Sequence, residues 1–155
     1  MKTAQAGFRF PVVGFTPDLE MWAFQDLDTL TSCGPETLRD NLQIGMELVD
    51  ADGRRWIVRS VTRTGRAESV LKSALSMLMF AKPQSRIEHE LDALEPLSLE
   101  EVKARACAML EAFPEDYGQY DESDNVLAPL LAEVRRARDI ASLPELLGLD
   151  SFKAY

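Results

Sequence analysis

The chain is poor in the residues that build metal and disulfide sites. Its 155 residues include two cysteines, Cys33 and Cys107, and one histidine, His89. A structural zinc site takes four ligands drawn mainly from Cys and His, so this inventory excludes one unless carboxylates complete the set. Nothing in the spacing brings the two thiols within the roughly 4.4 to 6.8 Å Cα separation of a disulfide, and both are expected to stay reduced. Cys107 falls in an apolar helical run and reads as a small core residue. Cys33, in Ser-Cys-Gly-Pro, reads as a half-exposed loop residue. Long hydrophobic runs are also missing: no window approaches 18 consecutive apolar residues, which excludes a spanning helix. The first ten residues are too short and polar an apolar run for a secretory signal, so the expected compartment is the cytoplasm. Positive charge is scarce, with 17 Lys plus Arg against 26 Asp plus Glu and a net charge of -9. Such a balance repels phosphate backbones and anionic membranes at long range, and it argues against both as partners.

What is present describes one globular domain over residues 1–155. The chain is 46% hydrophobic and 28% charged, which excludes disordered and collagen-like classes. Phe8 to Phe15 is aromatic and β-branched but carries Pro11, which cannot donate to a central ladder, so an edge strand or docked arm is expected. Glu20 to Phe24 suits another short strand. Leu27, Leu30 and Leu38 mark one face of a helical stretch broken at Gly34-Pro35. Met46 to Val49 and Arg55 to Val61 flank Asp50-Ala51-Asp52-Gly53-Arg54, whose residues favour tight turns, and together they predict a hairpin over 46–61. Arg55, Ile57, Arg59 and Val61 should share one face of the second strand, opposite Trp56, Val58 and Ser60.

A helical period runs through Val70, Leu71, Ala74, Leu75, Leu78 and Met79 and predicts a helix over 68–80. Arg86 to Leu94 alternates Ile87, His89 and Leu91 with Glu88, Glu90 and Asp92, the pattern of a strand with one wet face, the alternative being a continued helix. Ser98 followed by Glu101 is a capping box, and Pro114 ends the helix that it starts. Further helices fit 126–139 and 143–148. The fold class is therefore α+β: a small antiparallel sheet, including the 46–61 hairpin, packed with about four helices, the carboxy-terminal half being mostly helical.

Chemical motifs are few. Asp50-x-Asp52-Gly53 begins like a calcium loop, but the fifth and twelfth positions are Arg54 and Val61, which cannot ligate calcium. No nucleophile elbow, His-Glu-x-x-His, Walker loop or Gly-x-Gly-x-x-Gly occurs. Asp26 with Asp28 and Glu115 with Asp116 are the kind of carboxylate pairs an acidic chain contains by chance. His89 is a general base by residue type, yet its place between Ile87 and Leu91 predicts a packed, hydrogen-bonded ring. No catalytic residue, metal ligand or cofactor is assigned.

Charge distribution carries more information. Residues 1–66 hold eight bases and nine acids, whereas residues 67–155 hold nine bases and seventeen acids. From Ala106 to Val134 there are seven acids and no Lys or Arg. Glu115, Asp116, Tyr117, Tyr120, Asp121, Glu122 and Asp124 mix carboxylates with amphipathic rings, a composition suited to meeting a basic protein partner. The other expectation for this segment is a solvated loop that aids solubility. Arg54, Arg55, Arg59, Arg63 and Arg66 form a basic counterweight, expected to pair internally with the acidic half, the alternative being contact of Arg55, Arg59 and Arg63 with nucleic acid or an acidic partner.

At Gly45-Met46-Glu47-Leu48-Val49-Asp50-Ala51-Asp52-Gly53-Arg54-Arg55-Trp56, Pro96-Leu97-Ser98-Leu99-Glu100-Glu101-Val102 and Ile140-Ala141-Ser142-Leu143-Pro144-Glu145-Leu146, the chain resembles small bacterial immunity proteins of polymorphic toxin systems. The resemblance implies a non-catalytic cytoplasmic antidote that binds a toxin domain and occludes it. Two alternatives remain: a regulatory or scaffold protein that self-assembles through Trp22, Trp56 or the 8–15 arm, and a small-molecule enzyme with a pocket near His89.

Overall fold

In the computed structural model, residues 1–67, 75, 78, 82–117, 127–152 and 155 are described, Asp116 and Tyr117 in their backbone only. Six strands form one antiparallel sheet: β1 (Val12–Phe15), β2 (Met21–Phe24), β3 (Ser32–Cys33), β4 (Glu47–Val49), β5 (Arg55–Arg66) and β6 (Ser85–Leu94), in the order β2-β1-β4-β5-β6-β3. The described helices are α1 (Thr3–Ala6), α2 (Leu27–Leu30), α3 (Pro35–Arg39), α4 (Leu99–Ala112), α5 (Pro114–Tyr117), α6 (Leu127–Arg136) and α7 (Leu143–Leu146). This is a small α+β fold with a curled sheet. No helix among the described residues is long and apolar enough to cross a membrane.

The sheet has two apolar faces because its strands alternate buried side chains in both directions. On one face Val13, Phe15, Met21 and Val49 pack against Val102, Ala106 and Leu110 of α4, Leu131 and Val134 of α6, and Leu143 of α7. On the other, concave face Val12, Phe24, Met46, Leu48, Trp56, Val58, Ile87 and Leu91 enclose a second core. Phe152 completes it, fully buried and stacked on Trp22 at 4.1 Å between ring centroids. Its segment joins both margins of the curled sheet: Ala23 N–H donates to Asp150 C=O, and Gly34 N–H donates to Phe152 C=O. Helix α4 begins as its sequence dictates. Glu101 N–H donates to Ser98 Oγ at 3.2 Å, and Ser98 N–H donates back to a Glu101 carboxylate oxygen at 2.7 Å.

Four expectations need correction. The β1 strand is internal, paired with β2 and β4, because it starts at Val12, beyond the proline whose missing N–H argued for an edge. Cys33 is fully buried in β3, a two-residue strand hydrogen-bonded to β6. Both thiols are free, and burial pushes the Cys33 thiol up to about 11, which leaves it an inert core group at neutral pH. Trp56 is buried and cannot belong to the exposed patch expected for self-assembly, while Trp22 is partly buried, stacked on Phe152. Phe8 of the arm likewise packs on Trp56 at 4.5 Å.

The fourth correction concerns strand parity. Register shifts between Val58 and Ser60 and between Arg63 and Gly65 place bulges at Arg59 and Thr64. Each extra residue exchanges the faces of everything beyond it. Val61 consequently pairs with His89 and packs on the concave core instead of sharing a face with Arg55. Arg63 follows Val61 and leaves the face that holds Arg55. The predicted helix over 68–80 lies outside the described residues except at Leu75 and Leu78, which are helical and exposed.

Candidate functional site

The acidic segment is described only in part. Glu111 and Glu115 are exposed at the end of α4 and in α5, and Asp116 and Tyr117 are helical in their backbone. Tyr120, Asp121, Glu122 and Asp124 lie outside the described residues. Glu111 faces Arg135 of α6 across 3.7 Å, with both side chains more than half exposed, so screening makes the pair weak.

The arginine row is largely consumed by structure. Arg54 binds the buried Asp50, Arg55 binds Glu47 at 3.2 Å, and Arg59 binds Asp92 at 2.6 Å. Only the last of these acids belongs to the acidic half of the chain. Arg63 and Arg66 have no acidic partner among the described residues and line a cleft with Pro35, Leu38 and Ser85. Asp50 explains the Asp-Ala-Asp-Gly turn without an ion. Its carboxylate accepts from the amides of Arg9, Asp52 and Arg54 and from the Arg54 guanidinium. No group of three His, Cys, Asp or Glu side chains suited to holding a metal occurs among the described residues.

His89 is sealed in the concave core at 0% exposure. Its amide donates to Thr3 Oγ1 at 3.0 Å, and its Nδ1 lies 3.1 Å from the same hydroxyl. Nε2 sits 2.6 Å from the Gln43 side-chain amide, at Oε1, so both ring nitrogens are within hydrogen-bond distance of a polar side chain. With both ring nitrogens engaged and the residue at 0% exposure, the ring has no route to a substrate in this conformation. Burial lowers its pKa to about 4. Between about pH 4 and about 6.5 the unfolded chain therefore binds a proton that the folded chain refuses, and stability rises with pH across that window. The contribution is complete above about 6.5 and is lost as pH falls to about 4, a change of roughly 3 kcal/mol. Urea unfolding at several pH values should show this slope in the native chain and a flatter one in His89→Gln; identical slopes would remove His89 as its source.

A site that the sequence did not flag lies between α4 and the β1–β2 turn. Phe15, Thr16, Pro17 and Leu19, with Gly45 and Glu47, face Arg105, Ala108 and Met109 across an open cleft of about 460 Å³. Leu19 stands at its rim with φ +65° and 48% exposure, a left-handed backbone that costs a leucine energy and recurs at functional sites. Gly45, at φ +81°, lets the 41–45 loop approach Pro17, whose Cγ would lie 3.1 Å from any added Cβ. Arg105 lies over the Phe15 ring at 5.8 Å and donates to Glu47 Oε2 at 2.7 Å. Arg55 donates to the same oxygen, so one carboxylate serves two guanidinium groups. The residues come from positions 15–19, 45–47 and 105–109, and only the tertiary fold brings them together.

Fold and site together define a small α+β protein with an acidic helical end and an apolar cleft beside it. Comparison with known protein families, curated proteins and solved structures finds no match for the chain.

Proposed function

We propose that the chain is a non-catalytic protein-binding module of immunity type. It acts in the cytoplasm without a cofactor and occludes a basic toxin domain through the acidic, tyrosine-bearing segment at 115–124. The observation that carries this reading is the run from Ala106 to Val134, with seven acids and no base. Exposed Glu111 and Glu115 mark where this run reaches the surface. The engagement of His89 and Asp50 in internal hydrogen bonds supports binding over catalysis, because both are committed to holding the fold. Like-signed groups on one surface steer an oppositely charged partner and raise its encounter rate.

The test is association of the purified chain with a basic toxin domain, followed by stopped flow in rising salt. The on-rate should fall by roughly tenfold between low and high salt, and a combined Asp116→Ser, Asp121→Ser, Glu122→Ser variant should associate about tenfold more slowly at low salt. A rate indifferent to both salt and these substitutions would move the interface elsewhere.

A further inference from the structure

The cleft beside α4 has the composition of a small-molecule site. Its volume of about 460 Å³ falls within the roughly 300 to 1,000 Å³ of ligand pockets. Phe15, Pro17, Leu19, Ala108 and Met109 make its walls apolar, and one cation, Arg105, is set among them. Few polar groups in an apolar wall fix a ligand's orientation, and an arginine does so for a carboxylate by offering parallel N–H donors.

Arg105 is prepared for that task. The Phe15 ring beneath it and Glu47 beside it restrain the guanidinium, at 5.8 Å and 2.7 Å. Glu47 takes one of its five N–H groups, and the remaining four meet no acceptor among the described residues. Glu47 is shared with Arg55, so neither guanidinium has that carboxylate to itself. Glu101, one turn earlier on α4, accepts from the Ser98 amide and is committed to the helix cap. An acceptor entering the cleft therefore meets donors that no described protein group has taken, on a guanidinium that is 35% exposed.

We propose that this cleft binds a small apolar carboxylic acid, its hydrocarbon body between Phe15, Leu19 and Met109 and its carboxylate on Arg105. The site goes beyond the protein-binding reading and does not depend on it. The assigned role is binding: Glu47 is held by two guanidinium groups and the Thr16 hydroxyl accepts from the Glu20 amide.

A matched pair of probes separates charge from shape: 2-naphthoate and its neutral analogue 2-naphthylmethanol, titrated into the full chain by calorimetry with the Met109 methyl resonance as the local reporter. The acid should bind one per chain, at least about tenfold more tightly than the alcohol, as a charge-assisted hydrogen bond provides. In Arg105→Gln the acid should fall to the affinity of the alcohol, while Arg105→Lys keeps part of the preference. Ala108→Trp, a change at an exposed helical position that fills the cleft, should abolish binding of both. Thermal melts of each variant identify any loss that comes from unfolding, and Ala108→Trp tests the cleft without touching Arg105. An undiminished preference in Arg105→Gln, or undiminished binding in Ala108→Trp, overturns the proposal. So does the absence of saturable 2-naphthoate binding to the native chain, which would leave the cleft to an apolar side chain of a partner protein.

Discussion

Replacing Phe152 by alanine is expected to remove roughly 3 to 5 kcal/mol of stability, the usual loss when a phenylalanine is deleted from a core. The ring is fully buried, stacked on Trp22 at 4.1 Å and near Phe24 at 6.1 Å. It also anchors the segment that bonds to both margins of the sheet, through Asp150 to Ala23 and through Phe152 to Gly34. Thr37 adds a third tie, its amide and hydroxyl both donating to Tyr155 C=O. Losing the ring therefore opens a cavity and loosens the cover over β2 and β3 together. Domains of this size are stable by only about 5 to 15 kcal/mol, so the variant should unfold at markedly lower urea. A loss below about 1 kcal/mol would show that the sheet closes without this segment.

The second large effect is expected at Asp50. Its side chain is fully buried, and removing it strands three backbone amides and takes the carboxylate, 2.7 Å away, from the Arg54 guanidinium. Arg54 is 42% exposed and keeps Gly7 C=O at 2.6 Å, so the loss falls mainly on the three amides left without an acceptor, about 1 kcal/mol or more for each and about 3 kcal/mol together. Asp50→Ala should approach that loss. Asp52→Ala should cost less than about 1 kcal/mol, because Asp52 is half exposed and meets Arg9 only at 3.7 Å. Chemical unfolding of the two variants side by side decides the matter, and equal losses would refute the asymmetry. Two acids that look equivalent in Asp-Ala-Asp-Gly are thus separated by burial.

Much of the fold was legible because local physics governed it. The capping box at Ser98 and Glu101 formed as written, since both partners lie within one turn and need no help from elsewhere. The alternation around His89 gave a strand, and the residue proved packed, as its neighbours Ile87 and Leu91 implied. The faces of β5 were misread beyond Val58, because a bulge changes parity without leaving a composition signal. Cys33 was misread for a related reason. A two-residue strand is too short to show a period, and its burial comes from pairing with β6 more than fifty residues later.

The cleft was not legible at all. Its apolar residues look like ordinary core, and Arg105 and Glu47 are separated by 58 positions. The left-handed backbone of Leu19 follows no residue preference, since leucine disfavours it.

Composition, period-two and helical patterning, and turn chemistry determined that this chain forms helices on a small antiparallel sheet, and that its negative charge gathers late in the sequence. These properties depend on neighbours a few positions apart, which a linear reading contains. Tertiary structure decided the order of the strands, the closure of the sheet by Phe152 and the meeting of Arg105 with the β1–β2 turn. Those depend on which distant surfaces exclude water together, and burial of that kind is a property of the packed chain.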